Sequence, residues 1–565
     1  MADNISTEQI LSNDYADLII YYNNPDEELL ALFESFGVQI VGSNFAVMYV
    51  PRDELPENPL NVLGYYNIPK LLTPLDTTSL EKSGILRLRS QTVLNLDAGN
   101  VMLGFIDTGI DYTLDVFKNT DGTSRIAGIW DQTVNTGPAP YGLLYGTGYT
   151  NAQINEALSS ENPLGLVPVT DEIGHGTAVA GVAAGSSDPQ NEFTGASPSS
   201  PIAMVKLKPA KKYLREFFLI QEDAVAYQED DMMLGVRYLY SLARDLGKEL
   251  VLCIGMGTNM GPHSGDSPLS SVLTYYSRLA GVYCVAAAGN EAGKAHHYYG
   301  NVQAQGDVKT VEILVDEKDK GFTLELWARP PELYAVSFLS PLGESVPLIP
   351  ARLNQQERVR FVLESTQIDV SYTIVETLSG SELILMRFLS PTPGIWTVRV
   401  QNQIFLNGNF HMWLPVTGFV SPDTVFLAPS PDTTLTVPSP SPEPVTLSTY
   451  NAYDGSLFIN SSRGYTILGQ IKPDLAAPGV DVLAPLPGGR FAPRTGSSMA
   501  AAIAAGAVAL LVAWGITRPI PRLLTNTEVK NFLIRGASRS PNLLYPNREW
   551  GYGTLNLYQI FENLM

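Results

Sequence analysis

The stretch "RTGSSMAAAIAAGAVALLVAWGIT", residues 494–517, decides the fold of this chain. Residues 495–517 carry no charged side chain, and an apolar run of this length could cross a bilayer. The run consists largely of Ala and Gly, however, whereas a membrane span normally carries more Leu, Ile and Phe. Because two serines after a glycine open it, it could also be a buried helix with a nucleophile at its N-terminus. The rest of the chain decides among these interpretations.

Length and composition indicate a soluble protein of several domains. The chain has 565 residues, which is too long for one compact core, so two to four domains are expected. With 45% hydrophobic and 16% charged residues, the composition is that of a globular protein. The 36 basic and 57 acidic residues give a net charge of −21. This charge argues against nucleic acid and anionic membranes as partners.

Residues 1–24, "MADNISTEQILSNDYADLIIYYNN", contain no basic residue and no uninterrupted apolar core. We therefore expect no secretory signal and synthesis in the cytoplasm. The two cysteines, Cys253 and Cys284, lie in the apolar runs "ELVLCIGMG" and "GVYCVAAAGN". Such runs predict buried free thiols in strands, and neither cysteine has CxxC spacing. We expect no metal and no cofactor.

The sequence before residue 300 shows two different patterns of helices and strands, in residues 1–78 and 79–300. Residues 1–78 contain the runs "DLIIYYN", "EELLALFESFG", "VQIVG" and "FAVMYVP", which predict a small α+β domain in the order strand, helix, strand, strand. In residues 79–300, apolar strands such as "VMLGFIDTG" and "IAMVKLK" alternate with helical stretches such as "DDMMLGVRYLYSLARDLG". This alternation predicts a parallel sheet with crossover helices.

The pattern changes between residues 301 and 428, where short alternating runs such as "VEILV", "FTLELWA" and "IWTVRVQ" follow one another without helical stretches. They predict an antiparallel β-sandwich or jelly roll inserted into the α/β domain. The α/β pattern resumes in residues 429–565. The predicted fold class is therefore α/β: a parallel sheet with helices on both faces, an N-terminal α+β domain and an inserted all-β domain.

Four polar residues lie where an open α/β sheet places its active site. Asp107 ends the strand "MLGFID", at the carboxyl edge of the sheet. His175 lies between two glycines at the start of a small-residue helix, and Asn290 ends the strand run "AAAGN". Ser498 lies at a helix N-terminus, where unpaired N–H groups and the helix dipole favour negative charge.

Each of these residues alone has an ordinary structural explanation. An Asp at a strand end is often a turn residue, and a Ser before a helix is usually an N-cap. A lone His is usually structural, and we assign His296 and His297 such a role because no carboxylate pattern joins them. The joint occurrence of Asp, His, Asn and Ser in this order indicates a catalytic site.

The blocks "FIDTGID", "GHGTAVAG", "AAGN" and "GSSMAAA" resemble the signature blocks of subtilisin-like serine proteases, which have the triad order Asp, His, Ser. The resemblance implies a catalytic triad of Asp107, His175 and Ser498, with Asn290 in the oxyanion hole. It implies that the stretch 494–517 is the buried helix that carries the nucleophile. It also implies two walls of a substrate cleft: Ile254, Gly255, Met256 and Gly257 on one side, and Ala287, Ala288 and Gly289 on the other.

This sequence departs from the usual family pattern at several positions. Ser497 precedes the nucleophile where Thr is common, Ala502 follows it where Pro is common, and Ala178 replaces a usual His. Gly255 replaces a Ser that is common in the substrate-binding strand. None of these changes removes a catalytic group, but they leave the substrate preference open. We expect Ser497 to be a bystander.

A narrower resemblance follows from the domain order. The N-terminal domain, the insert between Asn290 and Ser498, and the ending "YPNREWGYGTLNLY" resemble the clostridial Csp germination proteases. In that group an active member processes the precursor of a cortex-degrading lysin during spore germination, which implies incorporation into the spore. The resemblance implies this precursor as protein substrate. The Pro-rich stretch "YYNIPKLLTPLDTTS", which follows the α+β pattern, indicates that the N-terminal domain is a prodomain that acts as chaperone and inhibitor and is released by self-cleavage between Tyr66 and Ser79. The alternatives are an intracellular subtilisin for general turnover and a non-catalytic sensor or scaffold.

Overall fold

A computed structural model of the chain describes residues 5–23, 25–26, 29–30, 33, 36–56, 60, 63–74, 83–85, 97–353, 355–517 and 522–564. Most of the helix predicted for residues 27–37 lies outside these residues. The predicted domain boundary at residues 78 and 79 also lies outside them.

The N-terminal part forms a small antiparallel sheet. Its strands are β1 (Tyr15–Tyr21), β2 (Gly37–Gly42) and β3 (Phe45–Pro51), in the spatial order β1-β3-β2. A short helix, Thr7–Leu11, precedes the sheet, and Ser6 and Gln9 close its N-terminus with reciprocal hydrogen bonds. Two 3-10 turns, Arg52–Glu54 and Tyr65–Asn67, follow the sheet and lead to a separate strand, β4 (Leu71–Pro74).

The α/β part is built on one eight-stranded sheet, in the order β24-β23-β12-β10-β5-β8-β6-β7. All its pairings are parallel except that of β7 with β6. The strands of this part before residue 290 are β5 (Val101–Asp107), β6 (Ile126–Asp131), β7 (Thr147–Thr150), β8 (Ile202–Lys206), β9 (Tyr227–Gln228), β10 (Glu249–Ile254), β11 (Met256–Gly257) and β12 (Val282–Ala287). The predicted parallel sheet is confirmed.

Helices cover both faces of this sheet. The helices His175–Ala184 and Ser497–Thr517 share one apolar core with one face, and Glu229–Asp245 and Pro268–Ser277 share a second core with the other. The N-terminal sheet packs against this second helical layer through residues such as Phe45. Elsewhere in the described ranges, helices span Asn151–Leu158, Pro163–Leu166, Lys212–Phe218, Asn526–Arg535 and Leu557–Leu564, and a 3-10 turn spans Asp115–Phe117.

The apolar stretch at residues 494–517 forms the central helix Ser497–Thr517. Among the described residues it is the one helix long and apolar enough to cross a membrane, and 89% of its most apolar window is buried inside the protein. Its small side chains let it contact helix His175–Ala184 and several strands at once. The sequence prediction of a buried helix is confirmed.

The insert consists of two antiparallel sheets around one apolar core. One has the order β13-β21-β15-β19-β18-β17, and the other has the order β16-β20-β14-β22. Its first strand begins ahead of residue 301, because His297 already pairs with Trp413 inside the first sheet. The strands are β13 (His297–Asn301), β14 (Val308–Val315), β15 (Gly321–Ala328), β16 (Leu333–Leu339), β17 (Gln356–Arg360), β18 (Gln367–Thr373), β19 (Glu382–Leu389), β20 (Gly394–Ile404), β21 (Asn409–Trp413) and β22 (Val425–Phe426).

The chain then returns to the α/β part. Strands β23 (Val445–Tyr450) and β24 (Leu475–Pro478) complete the large sheet, and β25 (Val482–Leu486) pairs with β26 (Arg490–Arg494) before the central helix. Cys253 and Cys284 are buried, unpaired thiols on the adjacent strands β10 and β12, as the sequence predicts.

Candidate active site

The structure brings Asp107, His175 and Ser498 together in one hydrogen-bonded line. Asp107 ends β5, His175 is the first residue of its helix, and Ser498 is the second residue of the central helix. His175 Nδ1 lies 2.7 Å from Asp107 Oδ1, and His175 Nε2 lies 3.0 Å from Ser498 Oγ. All three side chains are buried. Because a carboxylate can only accept, Nδ1 carries the proton and Nε2 faces the serine.

A glycine makes this approach of helix and strand possible. A Cβ added to Gly176 would lie 2.2 Å from the carbonyl oxygen of Gly109 and 3.1 Å from the Asp107 Cβ. A side chain at this position would therefore push the helix away from the loop that follows β5. The glycine after His175 in "GHGT" thus has a packing reason that depends on the segment "DTG".

The carboxylate of Asp171, which is not among the site residues predicted from the sequence, joins these two segments. Its Oδ1 accepts hydrogen bonds from Thr108 Oγ1 at 2.7 Å and Gly174 N at 2.8 Å, and its Oδ2 accepts from Thr177 N at 2.8 Å and Thr177 Oγ1 at 2.7 Å. Thr108 Oγ1 also accepts from Gly176 N at 2.9 Å. Asp171 therefore fixes the loop after Asp107 to the first turn of the His175 helix. A carboxylate four residues before the histidine is a weak signal in sequence alone.

Asn290 and Ser497 are joined by hydrogen bonds beside Ser498. Asn290 Oδ1 accepts from Ser497 N at 3.0 Å, and Ser497 Oγ accepts from Gly289 N at 3.1 Å. With its oxygen held in this way, Asn290 Nδ2 has no hydrogen-bond partner among the described residues. The amide is thus oriented as an oxyanion donor requires. Ser498 is the serine that contacts His175, as expected, and Ser497 contributes by positioning the loop 289–290.

The predicted substrate-binding strand already carries a partner strand. β11 pairs antiparallel with β4, with Gly257 opposite Thr73 and Met256 opposite Pro74. On its other side β4 pairs with β9, with Leu71 opposite Gln228. The N-terminal part of the chain therefore lies in the cleft as the central strand of a three-stranded sheet.

The remaining predicted cleft residues differ in how they can contact a substrate. A Cβ added to Gly255 would lie 3.1 Å from Ser498 Cβ and 3.3 Å from His175 Cε1, so Gly255 borders the triad directly. The side chains of Ile254 and Ala287 lie in the two apolar cores, which leaves only their backbone for substrate. The carbonyl of Ala288 accepts from Thr436 N at 2.9 Å.

The Gly289 end of this wall is closed by side chains. A Cβ added to Gly289 would meet Thr436 Cγ2 at 2.6 Å and Ser462 Oγ at 2.8 Å. The segment 436–437 also contacts both walls, because Thr436 N donates to the Ala288 carbonyl at 2.9 Å and Thr258 N donates to the Val437 carbonyl at 3.0 Å.

A second histidine–carboxylate pair lies next to Asn290. Glu291 Oε2 contacts His296 Nδ1 at 2.8 Å, and both side chains are buried. Burial raises the pKa of the Glu291 carboxyl, but the contact with His296 together with the hydrogen bonds from Thr417 and Asn259 holds the pKa below its ordinary value. Glu291 also accepts from Thr417 N of the insert at 3.3 Å, so this pair ties the site to the insert. Within the described ranges, no group of three or more His, Cys, Asp and Glu could hold a metal ion.

Comparison with known proteins gives consistent matches. The Peptidase_S8 model of the subtilase family matches residues 98–313 and 404–553, which together exceed half of the chain. The solved structure of the CspB protease of Clostridium perfringens is 31% identical, covers 86% of this chain and 98% of that chain, and superposes with a TM-score of 0.76. Subtilisin-like protease 10 of Arthroderma otae is 60% identical over 74 residues. That match spans 13% of this chain and only 18% of the fungal protein.

Proposed function

Because the chain belongs to the subtilase family, we propose that it is a serine endopeptidase with Asp107, His175 and Ser498 as its catalytic triad. The observation that carries this proposal is the pair of hydrogen bonds that His175 makes, at 2.7 Å to Asp107 and 3.0 Å to Ser498. A non-catalytic scaffold would have no need of this alignment.

The reaction follows from the geometry of the three side chains. His175 Nε2 takes the proton of Ser498 Oγ as that oxygen attacks the peptide carbonyl, and later gives the proton to the leaving amine. The Asp107 carboxylate holds the imidazole tautomer and stabilises the imidazolium without becoming protonated itself. Asn290 Nδ2 and the Ser498 N–H donate to the oxyanion of the tetrahedral intermediate. Water then hydrolyses the acyl-enzyme by the same proton transfers.

Labelling with a fluorophosphonate, followed by mass mapping of the labelled peptide, tests this assignment. Label on Ser498 in the wild type, and no label in Ser498→Ala or His175→Ala, is expected. Ser497→Ala is the matched control, because it changes the adjacent hydroxyl and should keep the label. Label that persists in Ser498→Ala would contradict the assignment.

We also propose that the N-terminal domain inhibits the enzyme and is separated from it by self-cleavage. The pairing of β4 supports this proposal, because Thr73 opposite Gly257 and Pro74 opposite Met256 direct the chain toward Gly255 and the triad. A strand in this register presents the bond to be cut shortly after Pro74, and a tethered substrate has a very high effective concentration. The predicted window from Tyr66 to Ser79 contains this position, although residues 75–79 lie outside the described residues. N-terminal sequencing of the mature enzyme locates the cut, and a cut before β4 would contradict the register.

For the physiological role, we propose activation of a cortex-lysin precursor during germination, in a protein made in the cytoplasm and incorporated into the spore. The resemblance to the Csp proteases supports this role. Incubation of the enzyme with a cortex-lysin precursor encoded near its gene should yield one defined product, and Ser498→Ala should yield none. Broad digestion of unrelated proteins, with the precursor left intact, would instead favour general protein turnover.

A further inference from the structure

A cleft of about 640 Å³ lies between the insert and the α/β part, and neither the triad nor the substrate strand contributes to its lining. Part of its lining is a row of three side chains on neighbouring strands of the insert. Tyr299 on β13 lies opposite His411 on β21, which in turn lies opposite Trp327 on β15. Tyr299 is 45% exposed, so its ring is open to a ligand. Clefts of this size between domains are typical of small-ligand sites.

A chain of hydrogen bonds fixes which nitrogen of His411 carries a proton. His297 Nδ1 lies 3.2 Å from the carbonyl oxygen of Ser430, which can only accept, so this nitrogen donates. The His297 Nε2 is therefore an acceptor, and His411 Nδ1, 2.9 Å away, must donate to it. Burial lowers the pKa of His411 to about 3, so its ring is neutral near pH 7. His411 Nε2 is thus a bare lone pair that can accept a hydrogen bond.

Hydrogen-bond donors complete the cleft. Arg329, which is exposed, has a guanidinium group with no hydrogen-bond or ion-pair partner in the part of the chain that the structure describes. The side-chain amide of Asn407 likewise makes no hydrogen bond to a described residue. From the α/β side, Arg548 and Asp432 face the cleft as an ion pair at 3.1 Å. The cleft therefore presents hydrogen-bond donors, hydrogen-bond acceptors and both positive and negative charge around the aromatic ring of Tyr299.

We propose that this cleft binds a saccharide of about two rings. Sugar hydroxyls both donate and accept, so one ligand can donate to His411 Nε2 and accept from Arg329 and Asn407. The apolar C–H face of a pyranose ring fits the exposed face of Tyr299, because the ring face carries partial negative charge and C–H groups are weakly positive. An acidic peptide fits less well, because Asp432 neutralises Arg548 and His411 carries no positive charge. The insert would then tether the peptidase to glycan.

Isothermal titration of the full-length protein with neutral and N-acetylated di- and trisaccharides, including cellobiose and diacetylchitobiose, tests this proposal. At least one should bind at millimolar or lower concentration. Tyr299→Ala and Arg329→Gln should each weaken binding by roughly tenfold or more. Arg329→Gln cannot unfold the protein by loss of a partner, because the guanidinium has none among the described residues. His411→Phe, which keeps the ring and removes the lone pair, should weaken binding as well.

Tyr453→Ala is the matched control, since Tyr453 is 75% exposed and lies outside the cleft. It should leave saccharide binding unchanged. The proposal is overturned if no saccharide of the panel binds, or if all three cleft variants bind like the wild type. It is also overturned if an acidic tetrapeptide, the competing type of ligand, binds in the cleft and the saccharides do not.

Discussion

The substitution Asp171→Asn tests whether one buried carboxylate holds the loop after Asp107 and the first turn of the His175 helix in place. Asp171 accepts four hydrogen bonds, two from backbone N–H groups and two from hydroxyl groups, and is 3% exposed. An asparagine has one accepting oxygen, so its NH₂ group would face either Gly174 N–H and the Thr108 hydroxyl or the two donors of Thr177. At least one buried N–H would lose its acceptor.

The expected cost follows from these contacts. An unsatisfied buried donor costs about 1–3 kcal/mol, and a hydrogen bond to a charged acceptor contributes about 1.5–3 kcal/mol. Since some hydroxyls can rotate to new partners, we expect the free energy of unfolding to fall by about 2–4 kcal/mol. Displacement of His175 relative to Asp107 should lower kcat/KM by about 10–100-fold, because a small misplacement of catalytic groups is costly.

Urea unfolding at pH 7 and peptide hydrolysis by the mature enzyme provide the two measurements. Glu172→Gln is the matched control, because this neighbouring carboxylate is 70% exposed and pairs with Lys206 at 3.2 Å. Lys206 itself is buried, but a glutamine still offers it an accepting oxygen and solvent screens the exposed Glu172 carboxylate, so the control should lose less stability and less activity than Asp171→Asn. If Asp171→Asn behaves like Glu172→Gln, the bracing role of Asp171 is wrong.

Three further predictions concern the oxyanion loop and the insert. Asn290→Leu should lower kcat by about 10²–10³-fold with little change in KM, as measured by steady-state hydrolysis. A rise in KM with unchanged kcat would contradict the oxyanion role. Ser497→Ala should keep the fluorophosphonate label on Ser498 but lower kcat modestly, by less than about tenfold, because Gly289 N–H loses its acceptor while the Asn290 side chain remains. An unchanged kcat would show that the hydrogen bond from Gly289 to Ser497 does not affect the reaction. Burial lowers the pKa of His411 to about 3 and that of His297 well below its usual range. Histidines in an unfolded chain have a pKa of about 6.5, so below that pH the unfolded chain binds more protons than the folded protein. The free energy of unfolding should therefore fall as the pH decreases below about 6.5, by up to about 1.4 kcal/mol per pH unit for each histidine. Urea unfolding at pH 7 and pH 5 measures this slope, which His411→Phe should reduce; an equal slope in the variant would contradict it.

The sequence predicts the parallel sheet, the buried central helix and the convergence of Asp107, His175 and Ser498 because these depend on local signals. Asp107 ends a strand and the other two lie at helix N-termini, and in a parallel sheet with crossover helices both kinds of position lie at the carboxyl edge. A run of small apolar residues with no charge is buried or membrane-bound, and the polar motifs around it favour burial. Local pattern, together with the family resemblance, therefore predicts the fold class and the three residues that the structure brings together.

Other features depend on contacts between distant segments and could not be read from local pattern. Asp171 looks like any loop carboxylate until Thr108 is placed beside it, 63 residues away in sequence. The role of Ser497 becomes visible only when Gly289 packs against it, 208 residues away. The first insert strand, which starts at His297, lies in a segment whose polar start hides the alternation.

The central claim is that Ser498 attacks peptide bonds, and the intact masses of purified wild type, Ser498→Ala and Ser497→Ala test it most directly. The N-terminal segment that lies in the cleft serves as a built-in substrate, so no other substrate has to be chosen. In a host that lacks related proteases, wild type and Ser497→Ala should each yield two fragments that together account for the whole chain plus one water molecule, and Ser498→Ala should yield one uncut chain. Equal cleavage of Ser498→Ala in that host would contradict the claim.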